Sequence, residues 1–599
     1  TDDYRAMVTA FLEYEFLKGL TFSASGNIDY SQSNLNKYTP GVFDEYHNES
    51  KSEGNIGRQV MLSSEELLHY NASVNDVHNI DVLLGVNTNK EQAFSMYGYG
   101  LRGVSDDVYY YNPQKVPPVV NHGTPEFPDY AATRYYSSDF TEKRMVSYFG
   151  RLGYNYKQRY LLEFTFRRDG SSTFGEGNRW ANFPSVAVGW SFSEEPFIKR
   201  LTGGWLNWGK IRGSYGKSGQ TFTSAYLAHG LMNIMDKSFF GKTGITTDKP
   251  VSPYLTWEKT RQYDLGLDMD MFNYRLNVKL DYYYKYTSSL IYDIPIPGSL
   301  YAFGAQVENA MEISNEGLEL ELQADILRES AVSWRMKFNM ARNWNRFEKS
   351  YSGKDVVDGD GTLLVAGRPL NGLYVWAHRG YYNSDAEVPR LYKIDGQEIY
   401  FNGVATNGIS GAVGDYRLLD LDGDGNPDSY YAGSPLPLAH GGWVNELMWK
   451  NFDLNVLVNF TIGRKMINNR MGLGFSRQSE DGHLTKLFDY RKLRPWDGVN
   501  KKPNAPAWGN SLSMNTDSAI EKVHHLALKQ ITLGYNLPDR ISKKAGLSGV
   551  RFFLTAENLF YLSNYSGGNP EVVNIYTGRD NGDTYPLPRK YTLGLTLNF

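Results

Sequence analysis

Tyr591-Thr-Leu-Gly-Leu-Thr-Leu-Asn-Phe599, the end of the chain, alternates strictly between large apolar side chains and polar or small ones. Successive side chains of a β-strand point to opposite faces, so one face of this strand is wholly apolar. A soluble sandwich strand can show the same alternation, but a terminal aromatic residue is typical of the closing strand of an outer-membrane barrel. We therefore expect a membrane-inserting strand whose apolar face carries Tyr591, Leu593, Leu595, Leu597 and Phe599.

The same alternation recurs along the chain, at 6–16, 146–156, 276–284, 318–326 and 332–340. A soluble β-protein of this size buries many strands on both faces, whereas here one face stays polar almost throughout. A water-filled lumen requires such a face. The sequence therefore predicts an all-β fold, a transmembrane antiparallel β-barrel with about 17 strands in this chain.

The predicted connections alternate between short and long. Short ones fall near 17–19, 73–77, 157–159, 271–275, 328–331 and 449–451, and long ones cover 91–143, 217–259, 287–315, 346–439, 463–525 and 561–590. Short periplasmic turns and long extracellular loops are typical of bacterial barrels. Since these barrels normally have an even number of strands, we expect further strands before the first one predicted here.

Composition excludes several other classes of protein. A single core rarely exceeds about 300 residues, and this chain has 599. It shows no repeat typical of a solenoid, and its net charge of −4 gives no electrostatic signal for nucleic acid. Without cysteine, disulfides and thiolate metal sites are ruled out. No apolar run is long enough for a transmembrane helix, while the 45 Tyr and 12 Trp suit a water–lipid boundary.

Several segments, in order along the chain, resemble one family, the SusC/RagA-like TonB-dependent outer-membrane transporters. They are Phe149-Gly-Arg-Leu-Gly-Tyr-Asn-Tyr156, Tyr160-Leu-Leu-Glu-Phe-Thr-Phe-Arg-Arg-Asp-Gly-Ser-Ser172, Arg179-Trp-Ala-Asn-Phe-Pro-Ser185, Gly189-Trp-Ser-Phe-Ser193, Ile211-Arg-Gly-Ser-Tyr-Gly216, Trp257-Glu-Lys-Thr260, Asn315-Glu-Gly-Leu-Glu-Leu320, Asn558-Leu-Phe560 and Pro586-Leu-Pro-Arg-Lys-Tyr-Thr-Leu-Gly594. Any one of them is weak evidence, but together they are specific.

The resemblance implies a complete barrel of about 22 strands with an N-terminal plug. We therefore expect residues 1–599 to be one partial barrel domain, without the plug, the TonB-contacting segment and the first strands. The expected partners are a SusD-like lipoprotein lid, TonB-ExbB-ExbD and outer-membrane lipid. The implied function is active import in the bacterial outer membrane, with an oligosaccharide as cargo or, alternatively, an oligopeptide. The matching segments favour these over an iron-chelate or cobalamin receptor.

An acidic stretch, 420–428, is a candidate calcium loop. Carboxylates at every second position, with a glycine that permits a tight turn, resemble the first half of an EF-hand loop, although Tyr431 stands where the bidentate Glu would be. The alternative is a solvated acidic turn. A structural Ca²⁺ would take side chains from Asp420, Asp422, Asp424 and Asp428 and the backbone carbonyl of Asn426.

Aromatic clusters in two long loops are the candidate substrate-binding residues. Their rings can stack on sugars, and nearby donors can bond sugar hydroxyls or a peptide backbone. The alternatives are packing between loops and the interfacial aromatic girdle. The candidates are Tyr109, Tyr110, Tyr111, Tyr374, Trp376, Arg379, Tyr381 and Tyr382.

The sequence offers little support for other functions. No motif places a nucleophile beside an activating base, so we do not predict a barrel enzyme. His524 and His525 have no carboxylate or third ligand close in sequence, which favours a structural role. Lumen charges such as Asp281, Glu319, Arg335 and Lys337 would keep a pore wet. A passive or purely structural barrel is a further alternative.

Overall fold

The structure is a computed structural model of the chain. It describes residues 1–43, 50–102, 119–121, 130–221, 224–239, 242–247, 250–301, 303–328, 330–357, 363–388, 390–392, 398–400, 413–421, 428–469, 494–499, 502–507, 516–582 and 584–599.

Strands dominate the described residues, and seventeen of them have nine residues or more. This agrees with the predicted all-β class and the predicted strand number. In chain order they are β1 (Asp2–Leu17), β2 (Leu20–Thr39), β3 (Lys51–Val74), β4 (His78–Leu101), β5 (Arg134–Tyr156), β6 (Tyr160–Ser171), β7 (Trp180–Trp190), β8 (Leu206–Gln220), β9 (Glu258–Met271), β10 (Leu276–Pro295), β11 (Ala305–Leu327), β12 (Val332–Lys349), β13 (Ala439–Trp449), β14 (Phe452–Asn468), β15 (Ile520–Asn536), β16 (Gly549–Ser563) and β17 (Lys590–Asn598).

Shorter elements lie in the connections. The short strands are Val119–Asn121, Tyr130–Ala132, Met232–Phe239, Lys242–Thr247, Val356–Val357, Leu363–Leu364, Leu373–Trp376, His378–Tyr381, Arg390–Tyr392, Glu398–Tyr400, Tyr416–Leu418, Ser429–Gly433 and Arg579–Asp580. The α-helices are Pro196–Thr202, Gly298–Tyr301 and Asp539–Ser542, and the 3₁₀ turns are Gly41–Phe43, Phe192–Glu194, Asp517–Ala519, Lys543–Ala545 and Pro570–Val572. Within the described part of the chain, no helix has the length and apolarity needed to cross a membrane.

The chain divides into two compact units, 1–190 with 213–262 and 287–311, and 191–212 with 263–286 and 312–599. In the first unit, β1 to β7 pair with their neighbours in sequence, always antiparallel. Tyr14 lies opposite Phe22, Phe22 opposite Leu68 and Leu68 opposite Leu84. Because opposite residues share a face, these apolar side chains line one side of the sheet.

One row of opposite residues in this unit changes character as it crosses the sheet. Val8, Ile28 and Leu62 are apolar, but the next two residues in the row are Lys90 and Arg144. Barrel strands tilt by about 35–45°, so a row of paired residues crosses an apolar band obliquely and leaves it. The register therefore agrees with a band of lipid-facing side chains on tilted strands.

In the second unit, β11 to β17 likewise pair antiparallel with their neighbours in sequence. The C-terminal strand forms as predicted, with Leu593 opposite Leu554 and Leu595 opposite Phe552. The five side chains of its apolar face are all exposed: Tyr591, Leu593, Leu595, Leu597 and Phe599. A role for this strand in membrane insertion stays a prediction.

The short turns predicted near 17–19, 73–77, 157–159, 271–275 and 449–451 are confirmed, and they contain residues that favour positive φ, such as Gly19 at +82° and Asn75 at +55°. The long connections are shorter than predicted. Instead of one loop over 91–143, β4 continues to Leu101 and β5 begins at Arg134. The apolar alternation is interrupted there by Lys90 and Gln92 before it reaches Phe94 and Phe140, whereas the backbone ladder continues.

Charged side chains on the polar face pair across neighbouring strands. Such partly exposed ion pairs contribute little to stability, but they keep the face hydrophilic. Three of the predicted lumen charges take part, namely Asp281, Arg335 and Lys337. The pairs are Arg5–Asp29 at 2.6 Å and Arg151–Asp81 at 2.8 Å in the first unit, and Arg212–Asp281 at 2.5 Å, Arg335–Asp325 at 2.7 Å and Lys337–Glu446 at 2.7 Å in the second.

Two of the family-like segments meet in the core of the first unit. The Trp257 ring packs against Phe174 at 4.9 Å and Phe183 at 5.6 Å, and its indole N–H donates to the Arg179 carbonyl at 3.2 Å. All three rings are buried. In the second unit, Asn558, at φ +52°, donates to the Pro588 carbonyl at 3.2 Å. The side chains of these family-like segments therefore hold the connections between strands against the neighbouring strands.

Candidate functional site

The connection between β12 and β13 lies over the ends of β14 and β15. Two of its short strands, Leu373–Trp376 and Ser429–Gly433, pair as a hairpin. Its apolar side chains and those of the strand ends are buried together, which anchors the hairpin. The members of this cluster are Leu373, Val375, Ala432, Ile467 and Ala519.

Beside the hairpin, polar and aromatic side chains form what we term the His378 cluster: His378, Tyr381, Tyr416, Tyr430 and Asp517. The Asp517 carboxylate accepts hydrogen bonds from His378 Nδ1 and, at 3.0 Å, from Tyr430 Oη. A carboxylate only accepts, so Nδ1 carries the imidazole proton. The Tyr416 ring lies edge-on to His378 at 4.8 Å and stacks on Tyr381 at 5.3 Å.

The phenols of this cluster ionise less readily than free tyrosine. Burial raises the pKa of Tyr381, Tyr416 and Tyr430, and for Tyr430 the hydrogen bond to Asp517 acts in the same direction. The three phenols therefore stay protonated at neutral pH and act as hydrogen-bond donors. His378 and Asp517 are partly exposed, which leaves polar atoms of the cluster within reach of a ligand.

Two of the predicted substrate-binding residues pack within the connection instead. The Tyr374 ring lies 5.7 Å from Tyr431, over which the Arg368 guanidinium sits at 4.8 Å. Tyr382 is buried, and its N–H donates to the Asp415 carbonyl. For these two residues the packing alternative is favoured.

Three of the other predicted substrate-binding residues lie in or near the His378 cluster, and three lie outside the described residues. Tyr381 belongs to the His378 cluster, Arg379 is exposed, and Trp376 bridges to Thr516, next to Asp517. Tyr109, Tyr110 and Tyr111 lie outside the described residues. A role for any of them in substrate binding stays a prediction.

The sequence did not point to Tyr416, Tyr430 or Asp517 as partners of the predicted residues. Asp517 is 139 positions from His378, so no local spacing connects them. The available signal was His378 itself, which stands inside the aromatic stretch 374–382. The sequence does not identify the carboxylate that bonds to it.

The His378 cluster presents ring faces and hydrogen-bond donors rather than a nucleophile. Of the two hydroxyls next to Asp517 in sequence, Ser518 donates to Tyr416 Oη at 3.1 Å and Thr516 shares a hydrogen bond with Ser518. Among the described residues, nothing hydrogen-bonds to His378 Nε2, so no nucleophile–base pair is formed there. Such an arrangement can bind a polar ligand.

The base of the acidic loop is described, but its tip is not. Asp428 donates its N–H to the Leu419 carbonyl at 3.0 Å, and its carboxylate accepts from the Leu421 N–H. These two bonds close the base of the loop. Both a calcium-binding loop and a solvated acidic turn can have such a base. Three of the five predicted calcium ligands, Asp422, Asp424 and Asn426, lie outside the described residues.

A buried arginine of β14 fixes the connection between β16 and β17. Gly463, at φ +73°, lies in a bulge of β14, and the next residue, Arg464, points into the connection. Its guanidinium donates to the carbonyls of Pro570 at 3.1 Å, Val573 at 3.0 Å and Asn574 at 2.8 Å. These bonds engage both terminal nitrogens of a cation that is 4% exposed, while its buried Nε has no partner among the described residues.

The two adjacent histidines have separate surroundings. The His525 side chain is largely buried, 4.0 Å from Glu571. His524 is exposed, and its backbone N–H donates to the Asn564 side chain at 2.7 Å. Both histidines of β15 therefore contact residues of the connection between β16 and β17.

Comparisons with known proteins agree with this architecture. The chain matches the family described as TonB dependent receptor-like, beta-barrel, over residues 1–431. It is 28% identical to a TonB-dependent receptor of Formosa agariphila, over 100% of this chain and 58% of the relative. It is also 29% identical to the TonB-dependent receptor SusC of Bacteroides thetaiotaomicron, over 79% of this chain and 45% of the relative.

A solved structure has the same fold. The structure of the RagAB peptide transporter superposes with a TM-score of 0.81 at 22% identity, over 100% of this chain and 62% of that one. The chain spans about half the length of the relatives it matches, between 45% and 58%. It belongs to the TonB-dependent receptor-like β-barrel family and is of SusC/RagA type.

Proposed function

We propose that this chain supplies the wall and extracellular loops of an outer-membrane importer of oligosaccharides, energised through TonB. The observation that carries the proposal is the His378 cluster. It joins aromatic rings to protonated phenols, an imidazole and a carboxylate on a loop connection of a SusC/RagA-type receptor. No bond of the cargo is made or broken.

The chemistry of the cluster suits a sugar. Sugar rings present C–H groups to aromatic faces and hydroxyls to polar groups at their edges. Tyr381, which stacks on the buried Tyr416, offers a partly exposed ring, Asp517 accepts hydrogen bonds, and the exposed Arg379 donates them. We expect the cargo to rest between these loops and a SusD-like lipoprotein lid. TonB-ExbB-ExbD would then displace the plug, using the proton gradient of the inner membrane.

An oligopeptide is the alternative cargo. The solved structure of the RagAB peptide transporter has the same fold. Arg379 and His378 would bind the peptide carboxylate, and the phenols its carbonyl groups. A peptide needs the cationic side chain of Arg379, whereas a neutral sugar needs the ring faces. Arg379→Gln should therefore weaken binding of a peptide more than binding of a neutral sugar. Tyr381→Leu should weaken binding of the sugar more.

Mass spectrometry of the complex purified from its native membrane in mild detergent tests the proposal. We expect a co-purifying lipoprotein lid, plug sequence and a retained glycan. A retained peptide would replace the sugar proposal with the alternative cargo. A 68.0 kDa polypeptide alone, with neither lid nor plug, would contradict import and favour a passive pore.

We also propose that the acidic loop 420–428 binds Ca²⁺ in a structural role. The closed base at Leu419 and Asp428 supports this, since ion-binding loops need fixed ends. Calcium should protect the loop from protease cleavage. The calcium concentration that gives half-maximal protection should rise in Asp424→Asn, which removes one of the proposed carboxylate ligands. Equal cleavage in calcium and in chelator would contradict a calcium site. Asp539→Asn, on an exposed turn, is the control.

A further inference from the structure

Cations lie over aromatic rings at both ends of the apolar face in the first unit, and the two ends differ. At the short turn after β5, Lys157 lies over Tyr156, 5.2 Å from the ring centroid. Toward the long connections, Arg168 of β6 lies over Trp180 of β7, at 5.2 Å. Lysine thus marks the turn end and arginine the loop end of this face.

The second unit, taken by itself, has the same asymmetry. Lys450 lies over Trp449 at a short turn, at 5.1 Å, and Arg342 lies over Trp344 toward the long connections, at 4.4 Å. Here, however, Glu316 lies opposite Trp344. That carboxylate would repel an anion, so the inference below concerns the arginine of the first unit.

The aromatic support of Arg168 is fixed by its neighbours. Trp180 lies flat over Gly170, where an added Cβ would come within 2.8 Å of the ring. Tyr148, opposite Arg168 in the sheet, stacks on Trp180 at 6.1 Å. All three side chains are exposed, directly beyond the apolar side chain of Phe166. We term Tyr148, Arg168 and Trp180 the Arg168 stack.

A guanidinium that stacks on a ring keeps its N–H donors, which lie in its plane. Arginine binds phosphate with two parallel hydrogen bonds, whereas lysine acts as a point charge. Among the described residues Arg168 has no ion-pair partner, and nearby Arg144 and Lys90 share the single carboxylate of Glu142. The rim beyond the apolar face is therefore net positive.

We propose that the Arg168 stack binds the phosphorylated sugar headgroup of a glycolipid in the outer leaflet of the membrane. Arg168 would hold a phosphate, the Tyr148 hydroxyl would donate to it, and the aromatic edge would contact the sugar. Charge complementarity and the position beside the apolar face select a lipid over a soluble anion. The inference depends on the barrel lying in a membrane and not on which cargo it imports.

The test titrates the detergent-purified protein with three lipids and counts bound lipid by native mass spectrometry. The lipids are lipid A with two phosphates, the same lipid A without phosphates, and phosphatidylglycerol. The variants are Arg168→Gln, Trp180→Leu and, as a matched control, Lys157→Gln. The control removes a cation that also lies over an aromatic ring, but at the opposite end of the face.

We expect tightest binding of diphosphorylated lipid A, weakened about tenfold by Arg168→Gln through loss of charge-assisted hydrogen bonds. Trp180→Leu should weaken it as well, and Lys157→Gln should not. Equal binding by the wild type and Arg168→Gln would overturn the inference. Equal binding of phosphatidylglycerol and lipid A would overturn the assignment of a sugar headgroup. These outcomes leave the proposed import function unaffected.

Discussion

At the scale of single residues, the candidate site depends on one carboxylate. Asp517 accepts from both His378 and Tyr430, so it fixes the tautomer of the imidazole and the position of the phenol. Neither contact is local in sequence. The residue that organises the site is therefore also one that the sequence does not reveal.

Replacing Asp517 by Asn should weaken binding of the retained cargo about tenfold while leaving the protein folded. The amide keeps the volume but removes the charge that strengthens two hydrogen bonds. Isothermal titration with the ligand identified by mass spectrometry measures the change. Asp539→Asn, which alters an exposed carboxylate, is the control, and unchanged affinity for Asp517→Asn would exclude the cluster from binding.

The loop connection should lose stability in alkali. A phenol whose pKa is raised by folding stabilises the folded form below the ordinary tyrosine pKa of about 10, and this contribution is lost as pH rises above it. Tyr381 and Tyr416 both have raised values. Hydrogen exchange in 374–382, corrected for its intrinsic pH dependence, should therefore accelerate progressively as the pH rises above about 10.

A double variant, Tyr381→Phe with Tyr416→Phe, should reduce that pH sensitivity, since it removes the two stacked phenols and leaves only phenols outside that pair, such as Tyr382, to ionise. Peptides from β3 serve as an internal control. If the double variant and the wild type lose protection equally over the same range, another group must be responsible.

At the scale of elements, the connection after β16 is fixed by Arg464. Arg464→Met keeps most of the volume but leaves the carbonyls of Pro570, Val573 and Asn574 without their donor. We expect a local loss of at least about 3 kcal/mol, since each of the three bonds to a charged group contributes about 1.5–3 kcal/mol and removal of the buried cation offsets part of their sum. Hydrogen exchange of 570–574 should accelerate by at least a hundredfold, about 2.7 kcal/mol.

Strand β3 should keep its protection in Arg464→Met, and the exposed Arg540→Met should leave both regions unchanged. Exchange in 570–574 at the wild-type rate would mean that the connection is held by the surrounding apolar contacts, such as Val573 with Met466.

Most of the elements could be predicted from sequence, because alternation and turn residues act locally. The apolar face of β17 and the turn at Lys157 follow directly from that pattern. The upper parts of β4 and β5 could not be predicted. There the outward pair Gln92 and Glu142 is polar and interrupts the apolar face before the next outward pair, Phe94 and Phe140, so the alternation is broken although the backbone ladder continues.

The candidate site was only partly predictable for a related reason. Tyr381 was found because it stands in an aromatic stretch, but Tyr382 in the same stretch is buried. Neighbouring residues of a strand face opposite ways, so at most one of two adjacent tyrosines faces a ligand. Which of the two does so is decided by partners such as Tyr416, far away in sequence.

At the scale of the whole molecule, the seventeen long strands among the described residues, which are apolar on one face and polar on the other within each unit, agree with membership in the TonB-dependent receptor-like barrel family. A barrel wall can serve a passive pore or an energised importer. The strand pattern alone does not distinguish these, since both need lipid outside and water inside. The energy source does distinguish them.

The decisive measurement is uptake of the labelled cargo by living cells, with and without a protonophore. An importer driven through TonB should accumulate cargo in the periplasm above the external concentration, and the protonophore should abolish this. Asp517→Asn should lower accumulation in proportion to its loss of affinity. Uptake that never exceeds the external concentration and ignores the protonophore would contradict energised import.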